Sequence, residues 1–280
     1  MKVFHHNDND GRLSAFLVMQ QLTLAVPIEV NYGKPFPLEQ IEEDEEIWIV
    51  DYNPLPEEMQ KIIERTQKIT WIDHHKTGIE LFKDFPHKIA GVRDSSKAAC
   101  ELVYEYIYSH AGGRTRRFID LVGDRDTWTF KYGDDSKYFH LGSMLYDTSP
   151  RTEVENGEIG LWSGLWNESL KVEDIIQKGK IVEVFRDRQN ADLCKAWAFE
   201  VEFSGHKALA MVTGMKGSEV FGKQIDDYPI CIAMAFNGKM WVNSLYSKTI
   251  DVGEIAKGLG GGGHKGAAGF QTTDFLFWHL

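Results

Sequence analysis

Three groups of residues in the first quarter of the chain carry side chains suited to hydrolytic metal chemistry: His5-His6-Asn7-Asp8-Asn9-Asp10-Gly11, then Asp51, then Asp73-His74-His75. Carboxylates gathered at one place repel one another and take up protons unless a cation neutralises them, so such a cluster asks for metal. Mixed carboxylate and imidazole donors without thiolate suit manganese, iron or zinc. The oxygen-rich balance leans toward manganese, with magnesium as the alternative. Two divalent ions roughly 3.5 to 4 Å apart and sharing a carboxylate would activate a water and stabilise charge developing on phosphoryl oxygens. Each piece alone has a plainer reading: Asp-Asn-Asp-Gly is an ordinary turn, a lone aspartate after an apolar strand caps a helix, and a histidine pair is structural. Their joint occurrence at successive strand ends is what favours a metal site.

The elements between these groups explain how they would meet. KVFHH (2–6), PIEVNY (27–32), EIWIVDY (46–52) and ITWIDHH (69–75) have the composition of strands. RLSAFLVMQQL (12–22) and LPEEMQKIIERTQ (55–67) space their apolar residues three and four apart, as helices packing one face on a sheet do. KAACELVYEYIYSH (97–110) reads likewise, with Ser95 or Ser96 as its N-cap. This alternation predicts βαβ units and a parallel sheet, in which ligands bind outside the carboxyl ends of the strands. Strand side chains alternate between faces, so one of His5 and His6 would serve as ligand, and alternation alone leaves both open. Arg93, Ser95 and Ser96 follow another predicted strand, KIAGV, and read equally as crevice-lining or as surface and capping residues.

A tract with Pro150, Asn156, Gly157 and Gly160 interrupts the pattern before a polar helical stretch from about Val172 to Asp192. The predicted divisions are therefore a catalytic domain over 1–150, a partly helical connector over 151–196 and a smaller mixed α/β domain over 197–280. That last domain holds two hairpin-like pairs, the second with Asn237-Gly238 suited to a type I′ turn. Near its end Gly260 to Gly263 form a glycine run, which by itself suits a flexible linker. An amphipathic VGEIAKGL before it and AAG with Phe270 after it suggest instead a backbone packed close to a neighbour. Glycine amides there can approach a phosphate, with His264 and Lys265 as further donors.

Bulk properties narrow the range. A formal charge of −11 disfavours an extended grip on long DNA or RNA but leaves small phosphorylated substrates open. No stretch approaches the ~20 apolar residues of a membrane-spanning helix. The opening MKVFHHNDNDG turns polar where an export signal needs apolar residues, which predicts the cytoplasm. Cys100, Cys194 and Cys231 are scattered and read as small packed residues.

With Asp73-His74-His75 after an apolar strand, the His-Asn-Asp-Asn-Asp-Gly start and Asp51 between them, the chain resembles the DHH family of phosphoesterases. Gly261-Gly262-Gly263-His264-Lys265-Gly266-Ala267-Ala268-Gly269 resembles the signature of the associated DHHA1 domain. The two motifs cover both ends of the chain. The resemblance implies a doubly wound, parallel-sheet α/β domain with a smaller mixed α/β cap facing its metals across a cleft. It implies His6, Asp8, Asp10, Asp51 and His74 as ligands of two divalent ions, with Asp51 bridging. His75 would contact phosphate or assist protonation, oriented by Asp73. Asp124 in DLVGDRDTW best matches the family's fourth motif, with Asp120 and Asp126 as competitors. Many members place the first-motif histidine four residues before the aspartate, whereas His6 precedes Asp8 by two, as in a shortened variant. Gly261, Gly262, Gly263 and His264 would bind substrate, Lys265 secondarily. The activity implied is hydrolysis of short oligonucleotides. Its rivals are a cyclic-dinucleotide phosphodiesterase, a nucleotide 3′-phosphatase and, from another class, a non-catalytic nucleotide-binding regulatory protein. The DHHA1-like ending argues against a pyrophosphatase.

Overall fold

Short apolar runs separated by amphipathic ones build the N-terminal half. The computed structural model describes residues 1–108, 116–151, 159–214 and 217–277. Its chain order begins β1 (Lys2–His6), α1 (Asn9–Gln21), β2 (Val26–Val30), β3 (Ile47–Val50), α2 (Pro56–Arg65), β4 (Ile69–Ile72), α3 (Lys76–Leu81) and α4 (Ala99–Tyr108). The first four strands pair in parallel in the order β2-β1-β3-β4. Alternate side chains explain the layers above and below. Val3, Trp48, Val50 and Ile72 pack with α1 and α4 on one face, while Phe4, Ile47, Ile49 and Trp71 meet Met59 and Ile62 of α2 on the other. All of β3 is buried, as expected for an inner strand of a parallel sheet covered on both sides. This is the doubly wound α/β domain expected.

KIAGV does not become a full strand. It runs beside β4 through the isolated bridges Thr70–Ala90 and Asp73–Arg93. The Arg93 guanidinium donates to the carbonyls of Trp71, Ala90 and Ile89, so this residue fastens the sheet edge. At the start of α4 the open N–H groups of Ala98, Ala99 and Cys100 are taken by Glu101 and Asp10 rather than by Ser95 or Ser96. The predicted helix end at 109–110 lies outside the described residues, as do Asn156 and Gly157 of the predicted connector.

Next come α5 (Arg117–Asp126), α6 (Asp134–Ser143), α7 (Leu161–Trp166) and α8 (Val172–Trp197). The chain divides into two compact units, Met1–Val182 and Glu183–Leu280, with the boundary inside α8. That boundary falls inside the stretch read as a connector over 151–196. Leu161, Trp162 and Leu165 of α7 and Ile175 and Ile176 of α8 are buried in the first unit's core, and Trp162 Nε1 donates to the Thr148 carbonyl at 2.7 Å. Burying these apolar side chains ties α7 and the start of α8 to the first unit.

The second unit contains β5 (Phe199–Phe203), β6 (His206–Val212), β7 (Ile230–Phe236), β8 (Trp241–Tyr246), α9 (Val252–Gly258), β9 (Gly262–His264) and β10 (Ala267–Thr272). Its sheet runs β5-β6-β7-β8-β10-β9, with only the β6–β7 pair parallel. Val201, Ile232, Leu245 and Phe270 pack with Val252 and Ala256 of α9 on one face, and Leu209, Met211 and Cys231 meet Val220 and Phe221 on the other. Both expected strand pairs form, but the turn chemistry is exchanged. Ser204 and Gly205 carry the two positive φ values (51° and 76°) of a type I′ turn. Asn237-Gly238 instead belongs to a four-residue loop in which Asn237 Oδ1 accepts the N–H groups of Lys239 and Met240. The Asx bond competes with the tight turn and here prevails. All three cysteines are free and buried. Among the described residues no helix is long and apolar enough to cross a membrane.

Candidate metal centre

Because β1, β3 and β4 are parallel neighbours, their carboxyl ends open at one edge, and His6, Asp51 and Asp73 stand there. Strand alternation decides between the two histidines. His5 is buried on the far side, its Nδ1 donating to the His6 carbonyl at 2.7 Å, and burial lowers its pKa. His6 turns to the carboxylates: its Nδ1 donates to Asp8 Oδ2 at 2.8 Å and lies 3.8 Å from Asp51 Oδ2. Asp8 also caps α1 by accepting the Gly11 N–H at 2.9 Å. Although burial pushes the Asp8 carboxyl up, the bonds from His6 and Gly11 hold it well below the usual range. Gly11 has no substitute here, since a Cβ would sit 2.4 Å from the His6 carbonyl oxygen.

Asp51 lies at the centre. It is 1% exposed, its backbone has φ 54°, and its Oδ1 is 3.3 Å from His74 Nε2. A non-glycine residue held in the left-handed region costs roughly 1–2 kcal/mol, which neighbours must offset. Its Oδ2 is buried with no hydrogen-bond partner. Three donor groups, each with ligand atoms within 4.8 Å of one another, cover the site: His6-Asp8-Asp51, Asp51-His74-His75 and Asp10-His74-Asp126. Asp51 belongs to two of them and His74 to two.

Carboxylates at the site outnumber the imidazoles that offset them. Burial, then the charges of Asp10, Asp8, Asp126 and Asp73, push Asp51 well above the usual carboxylate range. Burial and Asp8 raise Asp10, although its two oxygens accept the N–H groups of Ala99 (2.8 Å) and Cys100 (2.7 Å) at the α4 N-terminus. Burial, Asp10 and Asp8 lift Asp126 to about 8. A cation would reverse these penalties. The orphaned Asp51 oxygen, the oxygen-rich donors and the absence of thiolate all fit one or more divalent ions.

The fourth-motif aspartate differs from the expectation. Asp124 is turned away from the cluster and fully engaged: it accepts from Thr129 Oγ1 (2.6 Å), the Lys131 N–H (2.7 Å), the Tyr132 N–H (3.4 Å) and the Ser136 hydroxyl. Burial raises its pKa, but these donors lower it overall. Asp126, two residues on, stands 3.3 Å from His74 Nε2, and Asp120 belongs to none of the donor groups. Asp126 therefore replaces Asp124 in the candidate set.

Asp73 is fully buried, and its Oδ1 accepts from His75 Nδ1 at 2.7 Å. Burial lowers the His75 pKa, yet the Asp73 bond and the nearby carboxylates raise it overall. Fixing Nδ1–H in this way leaves Nε2 as the ring nitrogen that could meet a ligand. Sequence reasoning missed Tyr32, whose ring lies 5.3 Å from His6, 5.8 Å from His75 and 4.9 Å from Tyr52, and whose hydroxyl accepts the Asn53 N–H at 3.2 Å. Its signal was available, because Tyr32 lies two residues past the carboxyl end of β2, at the same edge as Asp51 after β3.

In the second unit the glycine run is a paired edge strand, not a linker: His264, Gly263 and Gly262 pair with Ala267, Ala268 and Gly269. Gly261 packs so closely that a Cβ would lie 2.0 Å from the Gly269 carbonyl oxygen. Gly261, Gly262, Gly263, His264 and Lys265 are all exposed.

No protein-family model matches the chain. Among curated proteins it is 21% identical over 306 residues to the oligoribonuclease NrnB of Bacillus subtilis, covering 98% of this chain and 73% of that one. Solved structures share the fold at lower identity. A pGpG-specific phosphodiesterase, PggH, from Vibrio cholerae superposes with TM-score 0.57 at 15% identity, covering 97% of this chain and 93% of the other. The DHH domain of a protein assigned to a ribosomal-protein family gives 0.55 at 15%, with 96% and 81% covered. The exonuclease RecJ bound to manganese gives 0.50 at 15%, with 98% and 85% covered.

Proposed function

We propose that this chain, a DHH phosphoesterase by motif and by fold, hydrolyses the phosphodiester bonds of short oligonucleotides using two divalent cations, manganese by preference. The observation that carries the reading is Asp51: buried, strained, and shared between two donor groups with one oxygen unpartnered. His6, Asp8, Asp10, Asp51, His74 and Asp126 would hold the ions, with Asp51 between them. When bound, such ions supply an activated water and neutralise charge developing on phosphoryl oxygens.

The chain's own residues supply orientation and proton handling. The α4 N–H groups fix the Asp10 carboxylate, and the Gly11 N–H fixes Asp8, so neither has to be ordered when substrate arrives. Asp73 holds the His75 ring by Nδ1, so that Nε2 can contact the phosphate or hand a proton to the leaving oxygen. The exposed Gly262 and Gly263 with His264 suit a nucleotide phosphate, which supports their assignment to the substrate grip of the second unit, while the Gly261 N–H is held by the Ala256 carbonyl at 2.8 Å.

The likeness to an oligoribonuclease and to a pGpG-specific phosphodiesterase supports short substrates, as does the charge of −11. Manganese-dependent turnover by purified protein of end-labelled RNA and DNA of two to about twenty nucleotides, cyclic dinucleotides, 3′-phosphoadenosine 5′-phosphate and pyrophosphate tests the reading. Cleavage concentrated on the shortest linear oligonucleotides is expected. Turnover of cyclic dinucleotides or the 3′-phosphate alone would move the substrate, and metal binding with silence across the panel would make this a nucleotide-binding protein.

A further inference from the structure

We propose that a second recognition element for the substrate sits beside the metal centre: a pocket that stacks the base of the nucleotide next to the cleaved bond on Trp128 and draws its sugar-phosphate to Arg125 and His140. This inference rests on the phosphodiesterase reading above. A cavity of about 180 Å³ is lined by Asp10 and Asp126 of the candidate metal cluster together with Phe139, Arg125, Trp128 and His140. A ligand reacting at the cluster therefore places its adjoining unit here.

The loop that presents the indole is built for display. Trp128 is 68% exposed and has φ 55°, and Phe130, at 5.4 Å and perpendicular to it, has φ 48°. Two bulky aromatics in the left-handed region need to be held there. Asp124 does the holding, through its bonds to Thr129, Lys131, Tyr132 and Ser136 and through the Thr129 N–H on its own carbonyl at 3.2 Å. A buried carboxylate thus fixes a loop whose most prominent product is an indole in solvent.

The chemistry around that indole selects the ligand. The Arg125 guanidinium lies 4.3 Å over the Trp128 ring, which is still 68% exposed and so offers surface to a flat partner. Stacking on an aromatic tolerates any base, because every base offers a π-face. A guanidinium and an imidazole nearby recognise phosphate oxygens.

The test compares two substrates at saturating manganese: a 5′-phosphorylated adenosine dinucleotide, and whichever of its two singly abasic analogues, each with one base replaced by hydrogen, wild type cleaves more slowly. Wild type should prefer the diester bearing both bases by about tenfold or more in kcat/KM, the range of one stacked base. Trp128→Ala should bring that preference near unity, while Trp128→Phe retains most of it. A preference unchanged in Trp128→Ala, or absent in wild type that cleaves both diesters, overturns the proposal. Should wild type cleave neither, the phosphodiesterase reading fails and the pocket is judged by binding. Quenching of 2-aminopurine riboside 5′-monophosphate by wild type but not by Trp128→Ala would uphold it, and no quenching would overturn it.

Discussion

Asp124 and Asp126 stand two residues apart at the end of α5 and face opposite tasks. Two helical positions are about 200° of rotation, so only one of them can look toward the cluster. Asp124 has donors on both oxygens, whereas Asp126 sits among like charges at a helix C-terminus, where the backbone dipole also disfavours an anion. Opposite mutant phenotypes follow. Asp124→Ala should cost roughly 3 kcal/mol in urea unfolding, because the loop loses a charged acceptor. Asp126→Ala should fold at least as well as wild type but bind manganese about a hundredfold more weakly, as read by calorimetry. Equal effects of the two on metal would contradict the assignment. DLVGDRDTW contains both aspartates in similar surroundings, so composition could not separate them; the tertiary donors Thr129 and Ser136 do. For His5 and His6 strand alternation showed that one of the two would face the cluster, because that rule is geometric and local, and the structure shows that it is His6. Tyr32 was legible by the same strand-end rule but carries no metal-ligand chemistry to draw notice.

Elements follow local pattern wherever burial agrees with it. β1 matches its expected span, and the other three strands of the first sheet start within a residue of theirs, because each is an apolar run bounded by polar turns. The region after Pro150 departs, since Trp162 and its neighbours are worth more buried than a linker is worth free. Trp162→Ala should accordingly destabilise the first unit by about 3–5 kcal/mol, with loss of metal binding at temperatures where wild type holds it. A cost under about 1 kcal/mol would mean that α7 is indeed a detachable connector. At β9 the glycine run was legible as close packing, and the Gly261–Gly269 approach supplies the reason. If the exposed His264 on that strand grips substrate, His264→Ala should raise KM about tenfold with manganese content unchanged. A fall in bound metal instead would remove it from the substrate grip.

At the level of the whole molecule, an acidic chain of net charge −11 concentrates several carboxylates at one edge of a sheet. Asp126 is raised from 3.8 to about 8, and Asp10 and Asp51 are raised too, so in each the protonated form is the one the metal-free fold favours. Stability from this source is complete below the ordinary carboxylate range and is lost as pH rises toward about 8. Metal-stripped protein should therefore melt lower at about pH 8 than at about pH 5.5, and the gain in Tm from saturating manganese should widen over the same interval. A gain independent of pH would place the ion elsewhere.

The most direct test is to titrate manganese into metal-stripped wild type and Asp51→Asn side by side, following cleavage of a 5′-labelled dinucleotide and bound metal together. Wild type should become active as the second equivalent binds, and Asp51→Asn should bind less metal and turn over about a thousandfold more slowly, the order expected when charge stabilisation at the reacting phosphate is lost. Near-normal turnover by Asp51→Asn, or full wild-type activity without metal, would contradict the account.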